Sequence, residues 1–367
     1  MKELIKNSFF LGKSYLIFML VLYKVADFIT RTDAKMILFC SFSGRQFSDS
    51  PREIYDSLKN DKRFKDYKLV WVFNDPSKFK TEYSVKMGSW SYYKALFRSK
   101  FWVSNASIER LVPYKGKHVY INTWHGVPLK HLGPDEGNLP FLVSNWYSKV
   151  EFDLLTACGS YDFEIFKKIF PRSKSIKKVG LARNEPLINS ELIRKKSGFQ
   201  TYFDLDKSKQ TILYAPTFRE YDLEGKGFSA NDMLSSLSVK YNVLFRGHYF
   251  SKLNIANDVI DVSDYSDLND LLLNVDILIT DYSSILFDFS LLEKPIFLYL
   301  YDWDKYKKYR GFYLAPTKLG IPYAFHSQDL VDMLNQKMDV SIIGVKQINV
   351  KFHEKNNAIE TITEFIE

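Results

Sequence analysis

Short apolar runs alternate with longer amphipathic stretches along most of this chain, and this alternation limits its fold more than any other feature. The first series of apolar runs lies at 36–40, 69–73, 101–104, 118–123 and 154–158. After a polar, basic connector at about 183–210, a second series lies at 211–214, 243–245, 259–262, 277–280 and 295–299. Strand-length apolar runs separated by helical stretches are typical of parallel α/β proteins. The sequence therefore predicts two Rossmann-like domains that face each other across a cleft.

This rhythm predicts four segments. We expect an amphipathic, membrane-associating segment at 1–31, a first Rossmann-like domain at 32–185, a second at 186–350, and a C-terminal helix at 351–367 that packs back towards the first domain. The 367 residues are long for one core and sufficient for two domains. An apolar content of 46% excludes a disordered chain.

The N-terminal segment contains a run of nine apolar residues, Tyr15–Tyr23, between lysines and an arginine. A membrane span needs about 20 such residues, so this run is too short to predict one. No small-residue cleavage site follows it, which argues against a secretory signal. We expect an interfacial helix on the cytoplasmic side of a membrane, or else a helix docked on its own domain.

The net charge of +8 indicates an anionic partner: a phosphorylated substrate, a membrane surface or nucleic acid. A basic block without intervening acids either attracts such a partner or is a solvated helix end and loop. Its members are Lys167, Lys168, Arg172, Lys174, Lys177 and Lys178. It lacks interleaved aromatic residues, so nucleic acid is disfavoured. The two cysteines, Cys40 and Cys158, lie in apolar runs and are expected to be buried thiols, and no metal-site spacing is readable.

A phosphate-binding turn is predicted at Asp281-Tyr282-Ser283-Ser284, between an apolar strand pattern and a helical pattern. Unpaired N–H groups at the start of a helix and two hydroxyl groups there suit a phosphate. Asp288 follows about one turn later and cannot favour phosphate itself. Its carboxylate would bind sugar or glycerol hydroxyls, or cap its neighbours.

Two histidines follow other predicted strands. His125 lies at the carboxyl end of the 118–123 run, where ligands of open α/β sheets bind, and Gly126 allows close approach of a substrate. Its imidazole would accept a proton from an attacking hydroxyl, unless it is a structural residue. His248 follows the 243–245 run and would donate a hydrogen bond to a phosphate or protonate a leaving phosphate.

Three cationic side chains and one hydroxyl complete the candidates. Thr217 and Arg219 follow the 211–214 run, and a hydroxyl with a guanidinium suits phosphate oxygens. Arg246 either shares the task of His248 or is a surface charge. Arg310 either clamps a diphosphate or pairs with a nearby aspartate.

Taken in order, these motifs resemble the CDP-glycerol glycerophosphotransferase family of teichoic acid synthesis. The matching pieces are TWHGVPLK at 123–130, ILYAPTFR at 212–219, RGH at 246–248, ITDYSSILFD at 279–288 and RGFY at 310–313. The resemblance implies a GT-B fold, a CDP-linked polyol phosphate donor, no obligatory metal and no other cofactor. It also implies peripheral attachment to the cytoplasmic face of the bacterial cell membrane, where a lipid-linked saccharide or polymer is the acceptor.

By motif match, His125 resembles the family's general base. His248, Ser283, Ser284, Thr217 and Arg310 resemble binders of the donor's phosphates, and Asp288 a donor-site partner. One departure is Tyr249, which stands where the family usually has proline.

The function that the resemblance implies is transfer of glycerol phosphate from CDP-glycerol to a hydroxyl of a lipid-linked acceptor, with release of CMP. The open alternatives are transfer from CDP-ribitol, a GT-B glycosyltransferase that uses a nucleotide sugar, and a non-catalytic binding protein.

Overall fold

The structure is a computed structural model that describes residues 2–137, 139–189, 198–219, 221, 230–247 and 256–367. The chain divides into two compact units. Unit 1 comprises Met1–His125, Leu132–Glu185 and Glu354–Glu367, and unit 2 comprises Gly126–His131 and Pro186–His353.

Unit 1 is built on a parallel sheet with the strand order β3-β2-β1-β4-β5-β6-β7. The strands are β1 Asp33–Cys40, β2 Lys68–Phe73, β3 Ser84–Lys86, β4 Ser99–Ser104, β5 Val119–Asn122, β6 Leu154–Ala157 and β7 Ile176–Lys178. The helices are Lys2–Asn7, Phe9–Ile29, Asp49–Asn60, Trp90–Arg98, Phe141–Lys149, Ser160–Ile169 and Ala358–Ile366. The central strands are buried along most of their length, as expected for a parallel sheet covered on both faces.

Unit 2 is built on a second parallel sheet with the order β10-β9-β8-β11-β12-β13. The strands are β8 Thr211–Ala215, β9 Asn242–Phe245, β10 Ile260–Asp261, β11 Ile277–Thr280, β12 Ile296–Tyr299 and β13 Tyr323–Ala324. The helices are Phe199–Tyr202, Asn231–Ser238, Leu268–Leu273, Ile285–Ser290, Trp303–Arg310, Ser327–Gln336 and Met338–Phe352. A short helix, Glu185–Ile188, contains the point at which the chain passes into the long segment of unit 2.

The predicted fold class, two α/β units with parallel sheets, is confirmed. Because the strands within each unit run in the same direction, their carboxyl ends lie at one edge of the sheet. The last helix, Ala358–Ile366, contributes Ala358, Ile362 and Ile366 to the core of unit 1. The N–H of Asn357 donates to the carbonyl of Val179 at 3.0 Å, which fixes the start of this helix on the same unit.

The predicted N-terminal helix is confirmed, and it is longer than the nine-residue run from which it was inferred. It spans Phe9–Ile29, 21 residues, and Ser8 caps it by accepting a hydrogen bond from the N–H of Leu11. By length and composition this helix could cross a membrane, and only 17% of its most apolar 18-residue window is buried. The apolar run is shorter than the helix because Lys24 and Asp27 interrupt the apolar residues without ending the helix.

One face of the N-terminal helix packs on unit 1. Its buried positions are Gly12, Leu16, Tyr23 and Asp27. The Asp27 carboxylate accepts a hydrogen bond from the Tyr114 hydroxyl at 2.9 Å and lies 3.2 Å from Nε2 of His118. The Nζ of Lys117 lies 3.4 Å from the same carboxylate, so the helix is docked through an ion pair near its carboxyl end.

Most of the basic block of residues 167–178 is paired within unit 1. Four of its cations form ion pairs with acids from other parts of unit 1. The pairs are Lys168–Asp135, Arg172–Glu151, Lys174–Asp153 and Lys178–Glu354. The block is therefore largely charge-compensated, because the fold supplies the acids that the local sequence lacks. Both cysteines are buried free thiols, as predicted.

Candidate functional site

His125 lies three residues after the end of β5, in a turn whose backbone is held in an unusual conformation. Trp124, which precedes it, has φ of 51°, and Gly126, which follows it, has φ of 137°. A non-glycine residue with positive φ is uncommon and needs support from its surroundings. Here the Trp124 ring is buried and stacks on the imidazole of His125 with centroids 4.3 Å apart. The turn thus fixes where the imidazole lies.

The hydrogen bond of His125 determines its tautomer. Its Nδ1 lies 2.7 Å from the main-chain oxygen of Asn105. A carbonyl oxygen can only accept, so Nδ1 carries the proton and Nε2 of the neutral ring carries a lone pair. Burial lowers the pKa of His125, and the nearby Arg183 and Arg45 lower it further, against the opposing effects of the Asn105 hydrogen bond and Asp49. The imidazole is therefore neutral near pH 7 and able to accept a proton at Nε2.

A buried ion pair supports the same turn. Arg183 donates through Nη1 to the Asp49 carboxylate at 2.6 Å and to the main-chain oxygen of His125 at 3.0 Å. The N–H of Arg183 donates to the Ser50 hydroxyl at 3.2 Å. No local sequence pattern marks Asp49, Asn105 or Arg183, because they come from three distant parts of the chain.

In unit 2, the predicted turn at 281–284 follows β11 as expected. The Asp281 side chain is fully buried and accepts hydrogen bonds from the N–H groups of Thr217 and Tyr282. This carboxylate ties the end of β8 to the end of β11. Ser283 and Ser284 come next and are half-buried, immediately before the helix Ile285–Ser290. Their hydroxyl groups therefore lie at the carboxyl edge of the sheet.

Arg219 is committed to contacts within unit 2. Its guanidinium pairs with Asp281 at 2.8 Å and with Asp302 at 2.7 Å, and its side chain is only 6% exposed. It also lies about 5 Å from the ring centroids of three tyrosines, Tyr282, Tyr301 and Tyr306. The geometry favours a supporting role for Arg219. Direct binding of a substrate by Arg219 stays a prediction.

The Asp302 carboxylate is the second anchor of this network. It also accepts hydrogen bonds from the hydroxyl groups of Tyr221 and Tyr282. Burial raises the pKa of Asp302, but its hydrogen bonds with Arg219 and the charge of Arg219 outweigh this and hold the pKa below its usual value. Two carboxylates thus face one guanidinium, so Arg219 leaves no surplus positive charge for a ligand.

The other predicted residues of unit 2 have distinct environments. Thr217 Oγ1 is buried and has no hydrogen-bond partner within the described residues, so it remains a candidate ligand group. Arg246 donates to the main-chain oxygens of Val262 and Tyr265 at 2.9 and 2.8 Å and so supports a loop. Asp288 is buried in the first turn of its helix, and Arg310 ends the helix Trp303–Arg310 half-buried. His248 lies outside the described residues.

A lysine that sequence analysis did not single out lies near the serine turn. Residues 126–131 belong to unit 2, where Lys130 forms an antiparallel bridge with Phe312. Its Nζ lies 6.0 Å from the ring centroid of Tyr306, which stacks on Tyr282 at 4.0 Å. The sequence contains an indication of this residue, because Lys130 is the last residue of the TWHGVPLK motif that contains His125. Within the described ranges, no group of three histidine, cysteine or acidic side chains is arranged to hold a metal ion.

Comparison with known proteins gives consistent results. The teichoic acid poly(glycerol phosphate) polymerase of Staphylococcus epidermidis is 34% identical over 80% of this chain, which covers 44% of that protein. The teichoic acid glycerol-phosphate transferase of Staphylococcus aureus is 32% identical over 89% of each protein. The structure of the wall teichoic acid polymerase TagF matches with a TM-score of 0.83 and 30% identity over 97% of this chain and 96% of that one. A variant of it soaked with CDPG matches with a TM-score of 0.81.

The chain thus spans less than half of the first relative and most of the second. The family model described as CDP-Glycerol:Poly(glycerophosphate) glycerophosphotransferase matches residues 22–364. The predicted resemblance is confirmed, and with it the assignment of the chain to a family of transferases. The chain belongs to the CDP-Glycerol:Poly(glycerophosphate) glycerophosphotransferase family.

Proposed function

We propose that this protein transfers a glycerol phosphate unit from CDP-glycerol to a hydroxyl of a lipid-linked acceptor, in the synthesis of teichoic acid or a related cell-surface polymer. Family membership supports the reaction class. The relatives described above are named for glycerol phosphate, and a variant of TagF was soaked with CDPG. These names favour glycerol over ribitol as the polyol.

The observation that carries the proposal is the tautomer of His125. Its Nδ1–H is held by the main-chain oxygen of Asn105, and its Nε2 is left as the basic atom. A positioned, neutral imidazole is the group that deprotonates an attacking hydroxyl near neutral pH. In the proposed reaction, Nε2 of His125 accepts the proton of the acceptor hydroxyl.

The transfer step forms one P–O bond and breaks another. The acceptor oxygen attacks the phosphorus of the glycerol phosphate unit, and the bond from that phosphorus to the bridging oxygen of the diphosphate breaks. CMP leaves with the electron pair of this bond. Hydrogen-bond donors and cations aimed at the diphosphate stabilise the charge that develops.

We assign that role to groups of unit 2. The hydroxyls of Ser283, Ser284 and Thr217 would donate to phosphate oxygens, and Arg310 and Lys130 would supply positive charge. Asp288 would contact the donor, and His248 stays predicted as a phosphate-binding or proton-donating residue. Because Arg219 is neutralised by Asp281 and Asp302, it would hold the turn rather than bind the donor.

We further propose that the N-terminal helix attaches the protein peripherally to the cytoplasmic face of the cell membrane. One face of Phe9–Ile29 is docked on unit 1, and apolar side chains such as Phe10, Phe18 and Phe28 are exposed on the rest. A docked helix with exposed apolar side chains suits an interfacial position. Lys13 and Lys24 are also exposed and would attract anionic lipids.

The test is product release from defined donors. The full chain is incubated with CDP-glycerol, CDP-ribitol or a UDP-sugar and a lipid-linked acceptor, and CMP or UDP is measured. CMP release from CDP-glycerol supports the proposal. CMP release from CDP-ribitol alone would identify ribitol, and not glycerol, as the polyol that is transferred. UDP release alone, or no release with any pair, overturns it.

His125→Ala tests the role of the base in the same assay. We expect a loss of CMP release of about 100- to 10,000-fold, the usual size of a general-base contribution, with an unchanged circular dichroism spectrum. His326→Ala is the matched control, because His326 precedes the helix Ser327–Gln336 and is exposed. Near-normal turnover in His125→Ala would remove His125 from the base role.

A further inference from the structure

We infer that Glu109, an acid of unit 1 on the segment that follows β4, is a positioning residue that holds His125 in the orientation it needs as a base. This inference rests on the proposed function and adds a residue that touches neither substrate. The Glu109 side chain is fully buried. A buried carboxylate is costly unless hydrogen-bond donors surround it, so the donors that face Glu109 show what it holds in place.

Two donors from different elements meet at the Glu109 carboxylate. The indole N–H of Trp146 donates to one carboxylate oxygen, and the Tyr120 hydroxyl donates to the other at 2.9 Å. Trp146 lies on the helix Phe141–Lys149, and Tyr120 lies on β5. Glu109 therefore joins this helix to the strand that leads into the His125 turn.

The Tyr120 hydroxyl also holds the residues on both sides of Asn105. It lies 3.2 Å from the main-chain oxygen of Ala106 and 3.3 Å from the hydroxyl of Ser104. Asn105 lies between these two residues, and its main-chain oxygen accepts the proton on Nδ1 of His125. The contacts of Tyr120 therefore fix the carbonyl that sets the tautomer of His125.

A second route reaches the same turn through Trp124, whose ring stacks on the imidazole of His125. The side-chain oxygen of Asn122 accepts a hydrogen bond from the N–H of Trp124 at 2.9 Å, and its amide nitrogen donates to the hydroxyl of Ser104 at 3.3 Å. Tyr147, on the helix that carries the indole donor, lies with its ring 6.2 Å from that of Trp124. The buried carboxylate is therefore connected to both the carbonyl partner and the stacking partner of the imidazole.

The hydrogen bonds of this network are complete whether Glu109 is ionised or protonated. Burial raises the pKa of Glu109 to about 7, against the opposing effects of its hydrogen-bond donors, so both forms occur near neutral pH. In the protonated form, the carboxyl O–H donates to the Tyr120 oxygen, and the Tyr120 hydroxyl donates to the main-chain oxygen of Ala106. The titratable groups that face Glu109 stay neutral in this range, because burial raises the pKa of each; they are Tyr23, Cys40, Tyr92 and Tyr120. The acid limb of the rate is therefore expected to be that of His125 alone.

Kinetics of CMP release by the full chain, together with nitrogen NMR of the His125 ring, test the inference. Glu109→Leu removes both acceptor atoms, so kcat should fall about 10- to 100-fold, the size of the loss when a reacting group is misplaced. The KM for CDP-glycerol should stay unchanged, because the groups assigned to the donor lie in unit 2. The ring of His125 should change from the Nδ1–H tautomer to a mixture of both tautomers. Glu109→Gln should keep the wild-type kcat and tautomer, because its amide accepts from Trp146 and donates to Tyr120.

Tyr120→Phe approaches the same network from its other partner. It should lower kcat and disturb the tautomer in the same way, and it keeps the inference testable if Glu109→Leu does not fold. The double variant should have the kcat of Glu109→Leu alone, because effects that pass through one network are not additive. Additive losses would overturn the shared route to His125.

Ile362→Ala is the matched control for stability, since Ile362 is fully buried in the core of unit 1 on its last helix. It should lower the thermal midpoint and leave kcat and the tautomer of His125 unchanged. A loss of kcat in this control as large as that in Glu109→Leu would overturn the positioning role. A wild-type protein that releases no CMP from either CDP-polyol contradicts the proposed function itself. An active wild-type protein with unchanged kcat and tautomer in Glu109→Leu and Tyr120→Phe overturns the inference and leaves the proposed function standing.

Discussion

Nδ1 of His125 lies 2.7 Å from the main-chain oxygen of Asn105. This contact joins the ends of β4 and β5, because Asn105 directly follows the first strand and His125 lies three residues after the second. The side chain of Asn105 accepts a hydrogen bond from the N–H of Phe42 at 2.7 Å, so the end of β1 is connected as well. Three neighbouring strands of unit 1 thus determine the orientation of one imidazole ring.

The first prediction concerns the dependence of activity on pH. A general base acts in its deprotonated form, so the rate falls as pH drops through its pKa. Burial lowers the pKa of His125 below its ordinary 6.5, so the acid limb of kcat/KM should lie below pH 6.5. The measurement is kcat/KM for CMP release between about pH 4.5 and 8 at constant ionic strength. An acid limb centred above pH 7 would contradict the assignment.

The second prediction concerns the stability of unit 2. Arg219→Met leaves Asp281 and Asp302 buried without their common cation, and breaking a buried pair in this way costs about 3–5 kcal/mol. Native-state hydrogen exchange of peptides from β8 and β11 measures the loss within the unit concerned.

The control for this experiment is an exposed ion pair. Lys35 and Asp66 lie 3.5 Å apart with side chains 57% and 63% exposed. Lys35→Met should change the free energy of unfolding by less than about 1 kcal/mol, as is usual for surface pairs. A similarly small effect of Arg219→Met would show that the buried network is not a major source of stability.

The sequence predicted most central strands because a parallel sheet buries both faces and so requires continuous apolar runs. The sequence did not predict β3 and β7, because these edge strands lack the continuous apolar run that marks a central strand. Ser84-Val85-Lys86 and Ile176-Lys177-Lys178 are three-residue strands at the two edges of the unit 1 sheet, with few apolar residues.

In the candidate site, the positions of some residues follow from the sequence and the contacts of others do not. The positions of His125 and of the serine turn follow from the rule that ligands bind beyond the carboxyl ends of parallel strands. The partners of Arg219 do not follow from local sequence, because Asp302 is 83 residues away along the chain. The sequence allows Arg310 to pair with a nearby aspartate, Asp302 or Asp304, and in the structure Asp302 pairs with Arg219. Spacing alone could not distinguish a cation that binds substrate from one that the fold has already neutralised.

The third prediction concerns the carboxylate that holds the C-terminal segment. Glu354 accepts a hydrogen bond from the N–H of Ser160 at 2.7 Å and pairs with Lys178 at 3.0 Å. The Ser160 contacts, and then Lys178, lower the pKa of Glu354 from 4.5 to about 2. Because the folded-state pKa is depressed, this stabilisation is present above about pH 4.5 and is lost as pH falls towards 2.

Glu354→Gln should therefore lower the thermal midpoint at pH 7, and its difference from the wild-type protein should shrink as the pH is lowered through this window. Glu364→Gln, an exposed change in the last helix, is the control and should show a smaller difference at every pH. A difference for Glu354→Gln that is the same at pH values above and below the window would contradict the linkage.

The fourth prediction concerns attachment to membranes. Phe18 and Phe28 are 62% and 90% exposed on the N-terminal helix, so Phe18→Ser with Phe28→Ser should leave the fold intact. Inserting one such side chain into an apolar phase contributes about 1.5–3 kcal/mol, so flotation with anionic vesicles should fall at least tenfold. Trp90→Ser is the control, because Trp90 is 85% exposed on another helix of unit 1 and should float like the wild-type protein. Equal flotation of all variants would contradict attachment through these side chains. Extraction of the wild-type protein from membranes distinguishes the two modes of attachment. Release by alkaline carbonate would support an interfacial helix, whereas release by detergent alone would show that Phe9–Ile29 crosses the membrane.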